Sequence, residues 1–169
     1  AMSLTPVGLS GASLGVSGGR LVHAACGRAV DLPGWHVRPG MIDVHGDGFE
    51  RHLAARRGAL RDMTSGFLAL DAELAANGIT TAMLAQFWSW EGGMRGPDFA
   101  RKMLAGLAEV RGKLVTDIRV QLRVETHMMD DFDAIEELVA EHDIGYVVFN
   151  DHLPHAALDK GKRPPRLTG

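Results

Sequence analysis

The sequence predicts an α/β protein with a parallel sheet, preceded by a small β-rich segment. One observation is the regular alternation of short apolar strands with amphipathic helices from Met41 to Asn150. Another is the change of composition near residue 38, because the preceding residues are rich in Gly, Ser and Val and lack a helical period. The chain has 169 residues, 46% of them hydrophobic, which is sufficient for a buried core.

Residues 1–38 are predicted to form a small β subdomain. Short apolar stretches in this segment are separated by Gly-Gly and Ser-Gly turn signals, a pattern typical of antiparallel strands. Two Pro-Gly pairs, at 33–34 and 39–40, then mark the entry to a different unit. Residues 39–169 are therefore assigned to that second unit.

The second unit is predicted to contain four strands and three helices. The strands are expected at 41–45, 79–85, 118–125 and 144–150. The helices are expected at 64–77, at 97–113, and after Asp130-Asp131, which are expected to cap the third helix. This order implies parallel strands joined by right-handed crossovers. A closed barrel needs eight such units and about 250 residues. The chain is thus either half of a barrel or an open, doubly wound sheet.

Charge and cysteine content limit the partners and the cellular compartment that we expect for this protein. The net charge of −3 does not favour a nucleic-acid or membrane-surface partner, so we expect neither. The only cysteine, Cys26, excludes an internal disulfide and indicates a cytoplasmic protein. No apolar run approaches the about 20 residues that span a bilayer. A small molecule is the expected partner.

The end of the first strand carries the strongest candidate for a metal site. His45 and Asp47 are two residues apart, so their side chains point to the same side of an extended strand. The carboxyl ends of barrel strands are where the active sites of such proteins lie. An imidazole with a carboxylate suits Zn²⁺ or Mn²⁺. The alternative for this pair is a strand-end histidine hydrogen-bonded to a turn aspartate.

Two further strand ends present side chains that bind metals. Glu125 ends the third strand, and Asp151 and His152 follow the fourth. Each has a plain alternative, since Glu125 could be a solvated strand end and Asp151 and His152 could be turn residues. Such side chains at three of the four strand ends favour a shared site over coincidence.

The segment after the first strand is basic. Arg51, His52 and Arg56 lie there, and arginines beside a metal site suit an anionic, especially phosphorylated, substrate. The alternative is a solvated surface loop.

Several runs of residues resemble a known family. The run at 38–47, Arg-Pro-Gly-Met-Ile-Asp-Val-His-Gly-Asp, resembles the first-strand motif of the amidohydrolase superfamily. The run at 48–56 is similar to that of one branch, the ribose 1-methylphosphonate 5-triphosphate diphosphatases. The Leu-Arg-Val-Glu run ending at Glu125 and the Asn-Asp-His run ending at His152 also resemble runs of that branch.

The resemblance implies a fold, a cofactor and a reaction. The fold would be a TIM-like (β/α)₈ metal-hydrolase barrel, of which this chain is the N-terminal half and inactive alone, and a homo-oligomer is expected. One or two divalent ions, with zinc favoured over manganese, would support cleavage of ribose 1-methylphosphonate 5-triphosphate to the 5-phosphate and pyrophosphate. The implied metal ligands are His45, Asp47, Glu125 and His152, and the implied substrate-binding residues are Arg51, His52 and Arg56.

Two other functions stay open. A C–N amidohydrolase, such as a deacetylase or a cyclic amidase, more often carries His-x-His than the His-x-Asp of this chain. Many of those enzymes also use a carboxylated lysine, and no lysine occurs near the fourth strand before Lys160. The third reading is a non-enzymatic α/β domain that binds an anion at the same strand ends.

Overall fold

The structure, a computed structural model, describes residues 2–22, 27–54, 62–153 and 155. The chain forms two compact units, Ala1–Gly40 and Met41–Gly169. The described residues of the first unit contain five short strands, and those of the second contain a parallel sheet with helices. The protein is thus mixed α/β.

The first unit is built from small strands. They are β1 (Met2–Thr5), β2 (Gly8–Ser10), β3 (Gly15–Ser17), β4 (Arg20–Val22) and β5 (His36–Val37). β1 pairs antiparallel with β2 and parallel with β5, while β3 and β4 form a separate hairpin. Gly18 and Gly19 make the hairpin turn with φ of 58° and 73°, a conformation in which glycine has no steric penalty.

The second unit confirms the predicted alternation of strands and helices. Its elements are β6 (Met41–Gly46), α1 (Glu50–Leu53), α2 (Met63–Ala76), β7 (Ile79–Trp88), α3 (Pro97–Val110), β8 (Asp117–Glu125), α4 (Phe132–Glu141) and β9 (Tyr146–Asn150). Short 3-10 turns lie at Gly93–Arg95, Arg111–Lys113 and Met129–Asp131. The four strands are parallel in the order β6-β7-β8-β9 and form a curled, half-barrel sheet. The complete eight-stranded barrel stays a prediction.

The ends of α2 follow from local chemistry. Asp62 caps its first turn by accepting a hydrogen bond from the backbone N–H of Ser65 at 2.6 Å. Gly78, with φ of 75°, follows its last turn and leads directly into β7. The sequence prediction of a helix that stops at Asn77-Gly78 is therefore confirmed.

One face of the sheet packs against the helices. In β8 the alternate residues Ile118, Val120, Leu122 and Val124 are buried in this core. They meet apolar side chains of β7 and of the three long helices, including Ala82, Leu84, Phe67, Leu70, Met103, Leu107 and Leu138. Because side chains alternate along a strand, the intervening residues of β8 project from the opposite face.

Three local expectations were wrong. The second strand, expected at 79–85, continues as β7 through Trp88, whose side chain is 1% exposed in the helix-facing core. Asp131 does not cap α4, because its carboxylate accepts a hydrogen bond from Trp88 Nε1 at 2.8 Å. The segment after β6, expected to be a loop, forms the short helix α1.

In the part of the chain that the structure describes, no helix combines the length and apolar character needed to cross a membrane.

Candidate functional site

The second face of the sheet is polar on its central strand. Gln121, Arg123 and Glu125 are the residues of β8 that alternate with the core residues. All three are largely buried, although their side chains are polar or charged. Each contacts a different residue at or just beyond the carboxyl end of another strand, β6 for Gln121 and Arg123 and β9 for Glu125. The candidate site is built along this row.

His45, at the end of β6, is oriented by Gln121. The Nε2 group of Gln121 donates to the carbonyl oxygen of Val44 at 3.0 Å, so its Oε1 is directed at His45 Nδ1, 2.8 Å away. An oxygen acceptor at Nδ1 requires a proton on that nitrogen. Neutral His45 therefore carries its lone pair on Nε2, the atom that is free to bind a metal.

Asp47 lies close to His45 and to a guanidinium group. Its Oδ1 is 3.5 Å from His45 Nε2 and 3.9 Å from an Nη1 of Arg123. The Asp47 side chain is 67% exposed and that of His45 is 46% exposed, so both are accessible to an incoming ion or substrate. The predicted His-x-Asp pair is therefore together in space on the polar face.

Glu125 and His152 form a second pair. The Glu125 carboxylate, only 1% exposed, receives hydrogen bonds from His152 Nδ1 at 2.5 Å and from the His152 backbone N–H at 3.1 Å. The ring of His152 is half exposed and lies 6.0 Å from that of Phe87. Glu125 thus fixes a proton on Nδ1 and leaves Nε2 of neutral His152 as the accessible nitrogen.

Two guanidinium groups lie against one aromatic ring beside these pairs. Phe87 is the register partner of Arg123 in the sheet. The guanidinium carbon of Arg123 is 4.3 Å from the centre of the Phe87 ring, and that of Arg95 is 4.7 Å from it. Arg95 also donates to Glu91 at 2.7 Å. Among the residues that the structure describes, the buried Nε of Arg123 has no hydrogen-bond partner, so this guanidinium group retains capacity for an anion.

The predicted substrate-binding residues Arg51 and His52 contact a helix. Both belong to α1 and both hydrogen-bond the carboxylate of Glu73 on α2, His52 Nε2 at 2.8 Å. Burial, and then the charge of Arg51, lower the pKa of His52. The remaining predicted residue, Arg56, lies outside the described residues. A phosphate-binding role for these residues stays a prediction.

The four predicted metal ligands therefore lie on the same sheet as two pairs. Within the described residues, no group of three or more His, Cys, Asp or Glu side chains is close enough to hold one ion. The donor chemistry nonetheless fits a divalent metal, because His45 and His152 each have an oxygen acceptor at Nδ1 and a free Nε2. Glu125, which receives two hydrogen bonds from His152, fits the role of orienting residue better than that of direct ligand.

The sequence interpretation missed four residues that now belong to the site: Gln121, Arg123, Phe87 and Arg95. A signal for two of them existed, since polar residues alternate with apolar ones in the run Val120 to Glu125. Arg95 and Phe87 gave none, because their place beside Arg123 depends on strand register and loop conformation.

A cavity of about 630 Å³ opens at the other end of the strands. Its lining includes Arg111, Asp117, Arg119, His142 and Tyr146, which lie where β8 and β9 begin and where α3 and α4 end. Charges of both signs surround it, and Arg119 is already paired with Asp117 at 2.7 Å. It includes none of the predicted site residues that the structure describes.

No family model, curated protein or solved structure matches this chain.

Proposed function

We propose that the protein is a metal-dependent hydrolase that acts on a phosphorylated substrate. The observation that best supports this proposal is the polar sheet face. On this face, His45 with Asp47 and Glu125 with His152 lie beside the guanidinium group of Arg123. Side chains that can bind a metal, together with a guanidinium group that can bind an anion, suit a negatively charged substrate. The resemblance to the amidohydrolase superfamily supports the same function, and its finer form is cleavage of ribose 1-methylphosphonate 5-triphosphate at an anhydride bond.

One ion would be held by His45 with Asp47, and His152 would hold a second, because no three ligand side chains among the described residues are within reach of one ion. When bound, a divalent ion such as zinc supplies hydroxide from a water of lowered pKa and polarises a phosphoryl oxygen. Gln121 and Glu125 keep the Nδ1 protons of the two histidines in place and so preserve Nε2 as the donor. Asp47 contributes carboxylate charge that favours a cation.

Arg123 and Arg95 would hold the charge of the phosphorylated substrate. Contact with the Phe87 ring restricts both guanidinium groups, which reduces the entropy lost when they bind an oxyanion. Arg123 is the stronger candidate, because its Nε has no hydrogen-bond partner in the described part of the chain and its side chain is 16% exposed. A desolvated guanidinium binds an oxyanion more strongly than an exposed one.

We further propose that the sheet belongs to a (β/α)₈ barrel. The curl of the four parallel strands and the polar residues on their uncovered face both support a sheet that closes around a site. Four more strand–helix units would complete such a barrel.

The test separates metal binding from anion binding. In calorimetric titrations with zinc, we expect His45→Asn to abolish stoichiometric binding, whereas His36→Asn, an exposed histidine of the first unit, retains it. In titrations with methyl phosphate, Arg123→Met should weaken binding about tenfold. The matched control is Arg119→Met, on the same strand and at its opposite end. Equal effects of Arg123→Met and Arg119→Met would contradict the proposed anion site.

Turnover identifies the bond that is cleaved. The natural gene product, loaded with zinc or manganese, is assayed against ribose and nucleoside triphosphates and against N-acyl and cyclic amides. Release of pyrophosphate from a triphosphate is the expected result. Turnover of the amides alone would instead identify a C–N amidohydrolase, and tight phosphate binding without turnover would identify an anion-binding domain.

A further inference from the structure

Gln86 is a polar side chain at a strand position whose neighbours on the same face are apolar. Side chains alternate along β7, so Gln86 shares a face with Leu84 and Trp88, which are buried in the helix-facing core. Gln86 is itself only 1% exposed. Burial of an amide costs free energy unless its hydrogen bonds are made, whereas an apolar side chain carries no such cost. The hydrogen bonds of Gln86 therefore indicate what it does.

Gln86 ties the end of β7 to the loop that follows it. Its Nε2 group donates to the carbonyl oxygen of Phe87 at 2.8 Å and to that of Met94 at 2.9 Å. Phe87 carries the ring against which Arg95 and Arg123 lie, and Met94 directly precedes Arg95. One amide group thus connects the backbone on both sides of the contact between Arg95 and the Phe87 ring.

The loop between β7 and α3, which we call the 89–96 loop, is closed by further contacts. The backbone N–H of Ser89 donates to the carbonyl oxygen of Arg95 at 2.8 Å, and that of Arg95 donates to the carbonyl oxygen of Gly92 at 3.1 Å. A methyl group on Gly96 would lie 3.0 Å from the Cα atom of Gly92. Because backbone atoms cannot rotate away from such a contact, this loop has little room for another conformation.

The 89–96 loop holds Arg95 in place while its side chain stays accessible. Nη1 of Arg95 donates to the Glu91 carboxylate at 2.7 Å, and the guanidinium carbon is 4.7 Å from the centre of the Phe87 ring. The Arg95 side chain is nevertheless 47% exposed. An arginine that is already ordered loses less rotamer entropy when it binds a ligand than a mobile one does. The loop therefore presents a preorganised guanidinium group.

We propose that Gln86 is a positioning residue, which orders the 89–96 loop and thereby holds Arg95 ready for an oxyanion of the substrate. Gln86 does not touch the anion, because it acts through the Met94 carbonyl and the loop backbone. The inference rests on the proposed function, since it assumes that Arg95 binds the phosphorylated substrate.

The experiment is a double-mutant cycle on methyl phosphate binding, measured by titration calorimetry with the full chain. Gln86→Met is expected to weaken binding about threefold to tenfold, because Arg95 then has to be ordered when the anion binds. In the Arg95→Met background, the same substitution should have no further effect, because the group that Gln86 positions is absent. The matched control is Thr116→Val, which replaces another buried polar residue and should leave the affinity unchanged.

A second substitution disturbs the same loop without changing Gln86. Gly96→Ala forces the backbone at Gly92 to shift, so it should weaken methyl phosphate binding to a similar extent, and again only when Arg95 is present. Gly112→Ala is its control, since a methyl group there meets no atom within 4 Å. Zinc affinity should be the same in Gln86→Met as in the parent chain, whereas general loss of structure would lower both affinities.

The outcomes separate the two proposals. If Gln86→Met leaves methyl phosphate affinity unchanged, if its effect simply adds to that of Arg95→Met, or if it also lowers zinc affinity, the inference is overturned. Where Gln86→Met fails to fold, Gly96→Ala decides in the same way. The proposed function survives each of these results if Arg123→Met still weakens binding. If neither Arg95→Met nor Arg123→Met changes the affinity, the anion site and the proposed function both fail.

Discussion

At the scale of single residues, the neighbours of the histidines decide which ring nitrogen is free. Gln121 can present only its oxygen to His45, because its amide nitrogen is already bonded to the Val44 carbonyl. Glu125 imposes the same state on His152 through a carboxylate. Side chains that orient a metal-binding imidazole in this way usually affect metal affinity as well as structure.

Replacing Gln121 by methionine should therefore weaken zinc binding by about 10–100-fold, because the Nδ1 proton of His45 loses its acceptor. Zinc affinity is measured by titration calorimetry. The control is Gln86→Met, which replaces a buried glutamine whose amide bonds the Phe87 and Met94 carbonyls instead. An equal loss of zinc affinity in both variants would mean that general destabilisation causes the effect.

The burial of His52 predicts a pH dependence of stability. Burial, and then the charge of Arg51, lower the pKa of His52 in the folded protein. At pH values between the folded and the unfolded pKa of His52, the unfolded chain therefore binds more protons than the folded chain. The free energy of unfolding rises with pH there. This contribution is fully present above the unfolded pKa of about 6.5 and is lost as the pH falls through the lowered folded pKa.

The check is urea unfolding between about pH 5 and pH 8. The free energy of unfolding should fall toward acid pH in the unsubstituted chain and fall less steeply in His52→Gln. His36→Gln, at an exposed position, should keep the original slope. Parallel curves for all three proteins would show that His52 does not titrate with folding.

At the scale of elements, the helices α2 and α3 approach closely at a glycine. A methyl group on Gly106 of α3 would lie 2.8 Å from Cβ of Met63 at the start of α2. Neither atom is at the flexible end of a side chain, so the helices themselves would have to move apart.

Gly106→Ala should destabilise the protein, by about 1–3 kcal/mol from the steric clash. The gain in helix propensity, about 1 kcal/mol, offsets only part of that cost. Chemical denaturation measures the difference. Gly112→Ala is the matched control, since a methyl group there meets no atom within 4 Å. A stability of Gly106→Ala at or above that of the parent chain would contradict the close approach of the helices.

At the scale of the whole molecule, the parallel sheet has exposed apolar side chains on its outer strands. Ile42 of β6 is 64% exposed and Phe149 of β9 is 62% exposed, and each of these strands pairs with one neighbour in the described sheet. Unpaired edges and exposed apolar residues favour association with another sheet.

We therefore expect the chain to self-associate as its concentration rises. Ile42→Lys should reduce this association by placing a charge on the outer strand. Sedimentation velocity over a range of concentrations provides the measurement. Val7→Lys changes an even more exposed valine of the first unit and should leave association unchanged. A monomeric parent chain at all concentrations would contradict the expectation.

Much of the fold was predictable because its signals are local. The period of apolar residues and the Asn77-Gly78 stop gave the position of α2, and the apolar run Ile118 to Glu125 gave β8. The end of β7 was harder to predict. The strand extends through Trp88 because that residue packs against the helices, and the local sequence does not reveal this packing.

The sequence by itself determined the order of the elements, their parallel arrangement and the placement of His45, Glu125 and His152 at strand ends. The tertiary structure alone decided which groups meet. It paired His45 with Gln121, which is 76 positions away, and engaged Arg51 and His52 with Glu73. The physical reason is that periodicity reports which face a residue occupies, whereas hydrogen-bond partners depend on strand register and helix packing between distant segments.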